Sequence, residues 1–305
     1  MRTDYAIEIC NLRKSYGSLT ALDDVSFKVE RGELFGLIGP DGAGKTTLFR
    51  LLTTLLNPDS GTATVDGLDI VADYKQIRKR VGYMPGRFSL YPDLSVEENV
   101  DFFASLFGVS KEANYDLIAP IYRQIEPFKN RRAGKLSGGM KQKLALCCAL
   151  IHAPSVLFLD EPTTGVDAVS RSEFWDMLFD LKSKGISMLV STPYMDEAAR
   201  CDRIALINES KILGIDTPQG IIDGFDEPLY ALSGDNPFGL LVAARRELSI
   251  KNCYPFGEAH HIVTIPEFDA TRFAEGLSNM GFTNVRVERV EPTIEDMFIK
   301  LMHNE

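Results

Sequence analysis

The spacing of apolar and polar positions changes several times along the chain, and each change predicts an element. Residues 6–12 and 21–29 alternate, the period of half-buried strands, before a turn at Arg31 and Gly32. An apolar run at 34–38 leads into a glycine-rich loop, and helical apolar spacing then covers 45–56. Strand, loop and helix in that order predict a parallel α/β core. Helical spacing returns at 95–106 and 142–151, between polar and glycine-rich loops. Residues 156–159 read as a short apolar strand that ends in two carboxylates. A helix over 171–184 follows, with buried strands at 186–191 and 204–207.

After Gly214 the pattern shortens. Pro218, Gly220 and Gly224 punctuate residues 216–226, which predicts a boundary followed by a linker. Beyond it come a strand at 229–232, a helix at 237–248, strands at 250–256 and 261–265, a helix at 270–280 and a strand at 284–290. That βαββαβ order fits a ferredoxin-like sandwich. Residues 294–301 form a closing helix, with Thr293 as N-cap and Asp296 three residues later. The expected division is an α/β domain over 1–215, then a linker and small α+β domain over 216–305.

Composition narrows the partners. The 305 residues are 45% hydrophobic and 25% charged, enough for a sizeable core. The net charge of −10 argues against nucleic acid as a partner, because phosphate backbones are held by clustered Lys and Arg. A single nucleotide needs only a local cradle. Neither a signal peptide near Met1 nor an apolar stretch of about 20 residues is found, so any membrane link is expected to run through a partner. Cys10, Cys147, Cys148, Cys201 and Cys253 lack metal-ligand spacing and are expected to be free, buried thiols in a reducing cytoplasm.

Two segments carry chemistry on their own residues. Gly39, Pro40, Asp41, Gly42, Ala43, Gly44, Lys45 and Thr46 match the phosphate-binding pattern G-x-x-x-x-G-K-[ST], with Thr47 beside it. Glycines leave backbone N–H groups free to wrap phosphates, and the following helix points its positive end at them. Lys45 is placed to reach the β- and γ-phosphates, and the Thr46 hydroxyl to ligate Mg²⁺. Asp160 and Glu161 end the apolar strand: Asp160 holds Mg²⁺ through water, and Glu161 orients or deprotonates the attacking water. A third segment, Ser137, Gly138 and Gly139, opens a helix and reads either as an anion nest or as a turn with an N-cap.

These motifs in this order resemble the ATP-binding subunits of ABC transporters. Leu136-Ser137-Gly138-Gly139-Met140 resembles that family's signature motif, placed between the phosphate loop and the strand ending in Asp160 and Glu161. Tyr16 looks like the aromatic on which adenine stacks, and residues 164–167 resemble the loop that lies across the dimer interface. The resemblance covers roughly residues 5–225. It implies an ABC-type P-loop core with a β-rich front subdomain and a helical insert, holding ATP and Mg²⁺ and acting as an ATPase. It also implies a second ATP-binding domain, as homodimer or heterodimer, whose site Ser137, Gly138 and Gly139 complete. Integral-membrane permease subunits are the further partners implied, so the chain is expected on the cytoplasmic face of the inner membrane. The tail, residues 290–298, resembles the end of subunits from bacterial drug and antibiotic exporters. A soluble ATPase outside transport is disfavoured, since the translation-factor type carries two such domains.

Two departures set up a rival reading. Gly86 stands where the family carries a glutamine, and Pro193 where it carries a histidine. Neither offers a side-chain donor to a γ-phosphate. One missing donor to developing charge typically costs on the order of 10²–10³ in rate. The alternative to a motor subunit is therefore a hydrolysis-impaired module that binds ATP and completes a partner's site. His152, His260 and His261 lie outside the motif order and read as structural or exposed. Arg87 reads as a solvated loop residue.

Overall fold

The structure, a computed structural model, describes residues 4–87 and 89–303. The chain divides into two compact units, Met1–Gln219 and Gly220–Glu305.

The first unit opens with two long strands, β1 (Tyr5–Tyr16) and β2 (Leu19–Glu30), paired as an antiparallel hairpin. The core strand β3 (Leu34–Ile38) and helix α1 (Lys45–Leu52) follow. Then come β4 (Ser60–Val65), β5 (Leu68–Asp69), α2 (Tyr74–Arg80) and β6 (Val81–Met84). The helical insert is α3 (Val96–Phe107), α4 (Tyr115–Ile125) and α5 (Gly138–Leu150), with α3 and α4 packed on α5. The unit closes with β7 (Val156–Asp160), α6 (Ala168–Ser183), β8 (Ser187–Thr192), α7 (Met195–Ala198), β9 (Arg203–Asn208) and β10 (Lys211–Asp216).

Two sheets result. The front sheet runs β2-β1-β4-β5 and is antiparallel; the core sheet runs β10-β9-β3-β8-β7-β6. All neighbours in the core sheet are parallel except β10 on β9. Every residue of β3, β7 and β8 is buried, so these strands show no in-and-out alternation; their middles are apolar, while β7 ends in Asp160 and β8 in Ser191 and Thr192. Helix α1 sits in the same apolar cluster as both sheets: its Leu48, Phe49, Leu51 and Leu52 join Ile7, Leu12 and Val25 of the front and Leu37, Phe158 and Leu189 of the core. Phe49 meets Phe158 edge to face at 6.0 Å. Burying each such side chain contributes about 1.5–3 kcal/mol, which anchors the phosphate loop at the start of α1.

Several boundaries differ from the sequence reading. Helix α1 stops at Leu52 and not at residue 56, because Thr54 adopts φ +63° and the Leu55 and Leu56 amides both turn back to Arg50 O. Leu56 still packs on the core while Leu55 is exposed, so the apolar spacing continues on a turn. Gly214, read as the point of change, lies inside edge strand β10, paired with Leu206. The expected linker contains helix α8 (Pro218–Asp223), which carries the chain across the division between the units.

In the second unit, β11 (Leu229–Ser233), α9 (Pro237–Ala244), β12 (Ile250–Phe256), β13 (Ala259–Thr264), α10 (Ala270–Asn279) and β14 (Arg286–Arg289) follow the βαββαβ order. They form an antiparallel sheet ordered β12-β13-β11-β14, closed by α11 (Ile294–His303). Helix α9 ends at Ala244, short of the expected 248; Leu248 is 97% exposed and finds no core to bury in. This unit has its own apolar cluster of Leu232, Leu240, Ala244, Cys253, Ile262 and Leu277. Thr293 and Asp296 cap α11 reciprocally: Thr293 N donates to Asp296 Oδ2 at 2.7 Å, and Asp296 N to Thr293 Oγ1 at 3.3 Å. Among the described residues no helix is long and apolar enough to cross a membrane.

Candidate functional site

The phosphate loop leaves the C-terminal end of β3 and enters α1, as residues 39–46 require. A Cβ on Gly39 would stand 2.1 Å from Ile207 O, and one on Gly44, at φ +106°, 2.2 Å from Ala21 O. Only glycine fits either position. Lys45 is 4% exposed, and its ammonium donates to Gly39 O at 2.8 Å and Pro40 O at 2.9 Å. A third oxygen, Glu161 Oε1, lies 3.2 Å away. Thr46 and Thr47 occupy the first turn of α1, half-buried, where helix amides lack partners within the helix.

Asp160 ends β7 and is 1% exposed. Its Oδ1 accepts from Ser191 Oγ at 2.7 Å, and that same hydroxyl accepts from Glu161 N at 3.0 Å. Ser191, on the neighbouring strand β8, thereby couples the backbone of one carboxylate residue to the side chain of the other. Glu161 holds φ +50°, a left-handed conformation that costs a non-glycine residue about 1–2 kcal/mol. Strain of this kind concentrates at functional sites. Burial, with the nearby Asp160 charge, pushes the Tyr83 phenol up to about 12.

The remaining candidates fall elsewhere on the unit. Ser137 caps α5, its Oγ accepting from Met140 N at 3.4 Å. Gly139 packs against Ser170, where a Cβ would come within 2.7 Å of the hydroxyl, and a Cβ on Gly138 would lie 3.3 Å from Gly165 O. The Ser137 turn is thus seated on the 164–170 segment, where Asp167 caps α6. The Ser170 amide holds the Asp167 carboxyl below the usual range. Tyr16 ends β1 and is 42% exposed, with Lys14 Nζ 6.0 Å from its ring. Among the described residues, no hydrogen bond or ion pair joins Tyr16 or residues 137–139 to Lys45, Asp160 or Glu161. Gly86 does border the site: a Cβ there would stand 3.0 Å from Asp160 O and 3.6 Å from Glu161 Cβ. Pro193 directly follows β8.

His152, His260 and His261 make structural contacts and none touches Lys45, Asp160 or Glu161. His152 bonds Val81 O at 3.0 Å and stacks on Phe107, His260 bonds Pro237 O at 2.7 Å, and His261 bonds Asp296 at 2.6 Å. Arg87 is exposed. Cys147, Cys148, Cys201 and Cys253 are buried free thiols, whereas Cys10 is exposed, against expectation. Sequence reasoning missed Ser191, although a hydroxyl residue near the end of an apolar strand was a usable signal.

A parallel core with a phosphate loop after one strand and paired carboxylates ending another defines a P-loop nucleotide-binding protein. A family model described as "ABC transporter" matches residues 22–164, from before the phosphate loop to just past Glu161. The chain is 35% identical over 307 residues to the Nod factor export ATP-binding protein I of Burkholderia orbicola, covering 98% of this chain and 97% of that one. It is 42% identical over 217 residues to the probable multidrug ABC transporter ATP-binding protein YbhF of Escherichia coli, matching 70% of this chain but spanning only 38% of that longer relative. Among solved structures, cbiO1 from Clostridium perfringens, part of the ABC transporter complex cbiONQ, aligns with TM-score 0.65 at 26% identity, covering 72% of this chain and 92% of that one. The chain belongs to the ABC transporter family, as an ATP-binding subunit similar to those of bacterial drug exporters.

Proposed function

We propose that the chain hydrolyses ATP and powers a membrane exporter through nucleotide-driven dimer closure. The observation that carries this reading is the buried Lys45 ammonium held against Glu161 where the phosphate loop meets the end of β7. One group grips phosphate and the other activates water, and they lie within 3.2 Å. Loop amides and the start of α1 hold the triphosphate, and Lys45 leaves Glu161 for the β- and γ-phosphates. Glu161 then accepts the proton of the attacking water. The hard oxygen donors Thr46 and Asp160 suit Mg²⁺, which when bound neutralises phosphate charge. Tyr16 stacks on adenine, while Ser137, Gly138 and Gly139 complete the site of a second ATP-binding domain, identical or different. Permease subunits then hold the chain at the cytoplasmic face of the membrane, and the export named for its relatives supports the direction of transport. The α/β portion is the catalytic domain and the smaller C-terminal unit folds on its own core.

A second reading rests on Gly86 and Pro193. Gly86 borders Asp160 yet brings no side chain, and proline brings no donor. Under this reading the chain binds ATP, turns it over poorly, and lends residues 137–139 to a competent partner. The test is phosphate release from Mg-ATP by the purified chain, alone and reassembled with its permease. Release that vanishes in Glu161→Gln supports the motor. No release in either form refutes it and leaves the module.

A further inference from the structure

Glu197 is a carboxylate that the scheme above does not use. It lies on the short helix α7 and is 3% exposed. Its Oε2 accepts from Thr192 Oγ1 at 2.6 Å and from Thr163 Oγ1 at 3.1 Å. Both threonines are buried, Thr163 in the loop after β7 and Thr192 at the end of β8. Thr163 stands two residues after Glu161. Thr192 ends β8 just before Pro193, pairs in register with Ile38 ahead of the phosphate loop, and its hydroxyl also receives Tyr194 N at 3.1 Å. The second carboxylate oxygen, Oε1, is buried without a hydrogen bond, and Arg171 Nε lies 3.9 Å from it. Arg171 belongs to the first turn of α6, directly after the 164–167 segment, and stacks over the Tyr194 ring at 5.0 Å.

Burying a carboxylate is costly unless its oxygens are answered, and here two hydroxyls answer Oε2 while Arg171 stands beside Oε1. We infer that Glu197 is a positioning residue for hydrolysis: it clasps the loop carrying Glu161 to the loop carrying position 193, so that both move as one body. In this chain residue 193 has no side-chain donor, and Glu197 supplies a link between the loops through Thr163 and Thr192. Its two hydroxyl contacts fix the loops, and its charge draws in Arg171. The inference rests on the proposed ATPase reading for its consequence in rate, but the clasp itself is a statement about two loops.

The variants separate these parts. In Glu197→Gln the amide oxygen keeps both threonines while the charge facing Arg171 is lost; Glu197→Ala removes everything. On the full chain, ATP affinity should stay within about twofold in both variants, while single-turnover hydrolysis falls about tenfold or more in Glu197→Ala and clearly less in Glu197→Gln, since small misplacements of a catalytic group are expensive. Hydrogen exchange should rise in Glu197→Ala at 161–166 and 192–195 together. Exchange that rises at 192–195 only, or native turnover in both variants, overturns the clasp. Affinity and rate that fall in equal proportion with the melting temperature also overturn it, as a merely structural role. If Glu197→Ala does not fold, Thr163→Val cuts one arm and must raise exchange at 161–166. A native chain that releases no phosphate sinks the ATPase reading alone, because the exchange measurement still decides whether the loops are joined.

Discussion

Replacing Glu161 by Gln should tighten ATP binding while nearly abolishing its hydrolysis. The Lys45 ammonium lies 2.8 Å and 2.9 Å from two carbonyl oxygens and 3.2 Å from the Glu161 carboxylate, with the exposed Asp41 carboxylate farther off at 4.0 Å. ATP must draw the ammonium away from Glu161, so that ion pair competes with the ligand. The Glu161 side chain is 22% exposed, which screens the pair toward the low end of charge-assisted bonds, about 1.5 kcal/mol. A glutamine oxygen keeps a neutral contact of about 0.5 kcal/mol, so the competition drops by about 1 kcal/mol, or roughly fivefold in Kd. Removing a negative charge beside the triphosphate acts in the same direction. Loss of a general base lowers the chemical step by about 10²–10⁴. Equilibrium titration with a fluorescent ATP analogue and a single-turnover phosphate assay, both at fixed Mg²⁺, read the two effects. Weaker binding in Glu161→Gln would show that Glu161 does not compete for Lys45. Undiminished turnover would remove it as the base.

Lys45→Ala deletes the one cation within residues 39–46 and should abolish tight Mg-ATP binding, measured by calorimetry. A chain ending at Gln219 should still bind ATP, whereas one ending at Gly214 cuts through β10 and should lose soluble protein, as gel filtration would show. Pro193→His should raise single-turnover hydrolysis several-fold with little change in affinity; Gly86→Gln should help less, because its Cβ meets Asp160 O at 3.0 Å and the loop must shift. In the second unit, burial acts to raise the Asp296 carboxyl, but hydrogen bonds from His261, Thr293 and Tyr254 outweigh it and hold it below its ordinary 3.8. Its folded value is the lower one, so its stabilisation is present above about pH 4 and fades as pH falls through the folded value. Asp296→Asn should cost this unit about 1–3 kcal/mol near neutral pH and flatten that acid limb, read by urea unfolding.

Much of the site was legible from residue types at fixed spacing, because its chemistry is local. A loop that must approach phosphate closely needs glycines, a charge at the helix start needs Lys45, and paired carboxylates need a rigid strand end. The αβ order and the βαββαβ tail were legible for the same reason: apolar periods of 2 and 3.6 record which face each element buries. What the sequence alone left open arises where distant segments meet. The end of α1 depends on Thr54 turning over, and β10 became a strand only because β9 offered it an edge. Helix α4 was passed over in the sequence because Pro120 lies within it, yet Ile118, Ile121, Tyr122 and Ile125 stand at helical spacing, and their burial in the helical insert keeps it helical. Lys45 and Glu161 stand 116 positions apart, and nothing in either segment says that they touch. Ser191 and Glu197 gain their roles only because β8 lies between the strands bearing the phosphate loop and the carboxylates. A side chain's type and spacing determine what it can do, while the sheet order determines which other side chains it does it with.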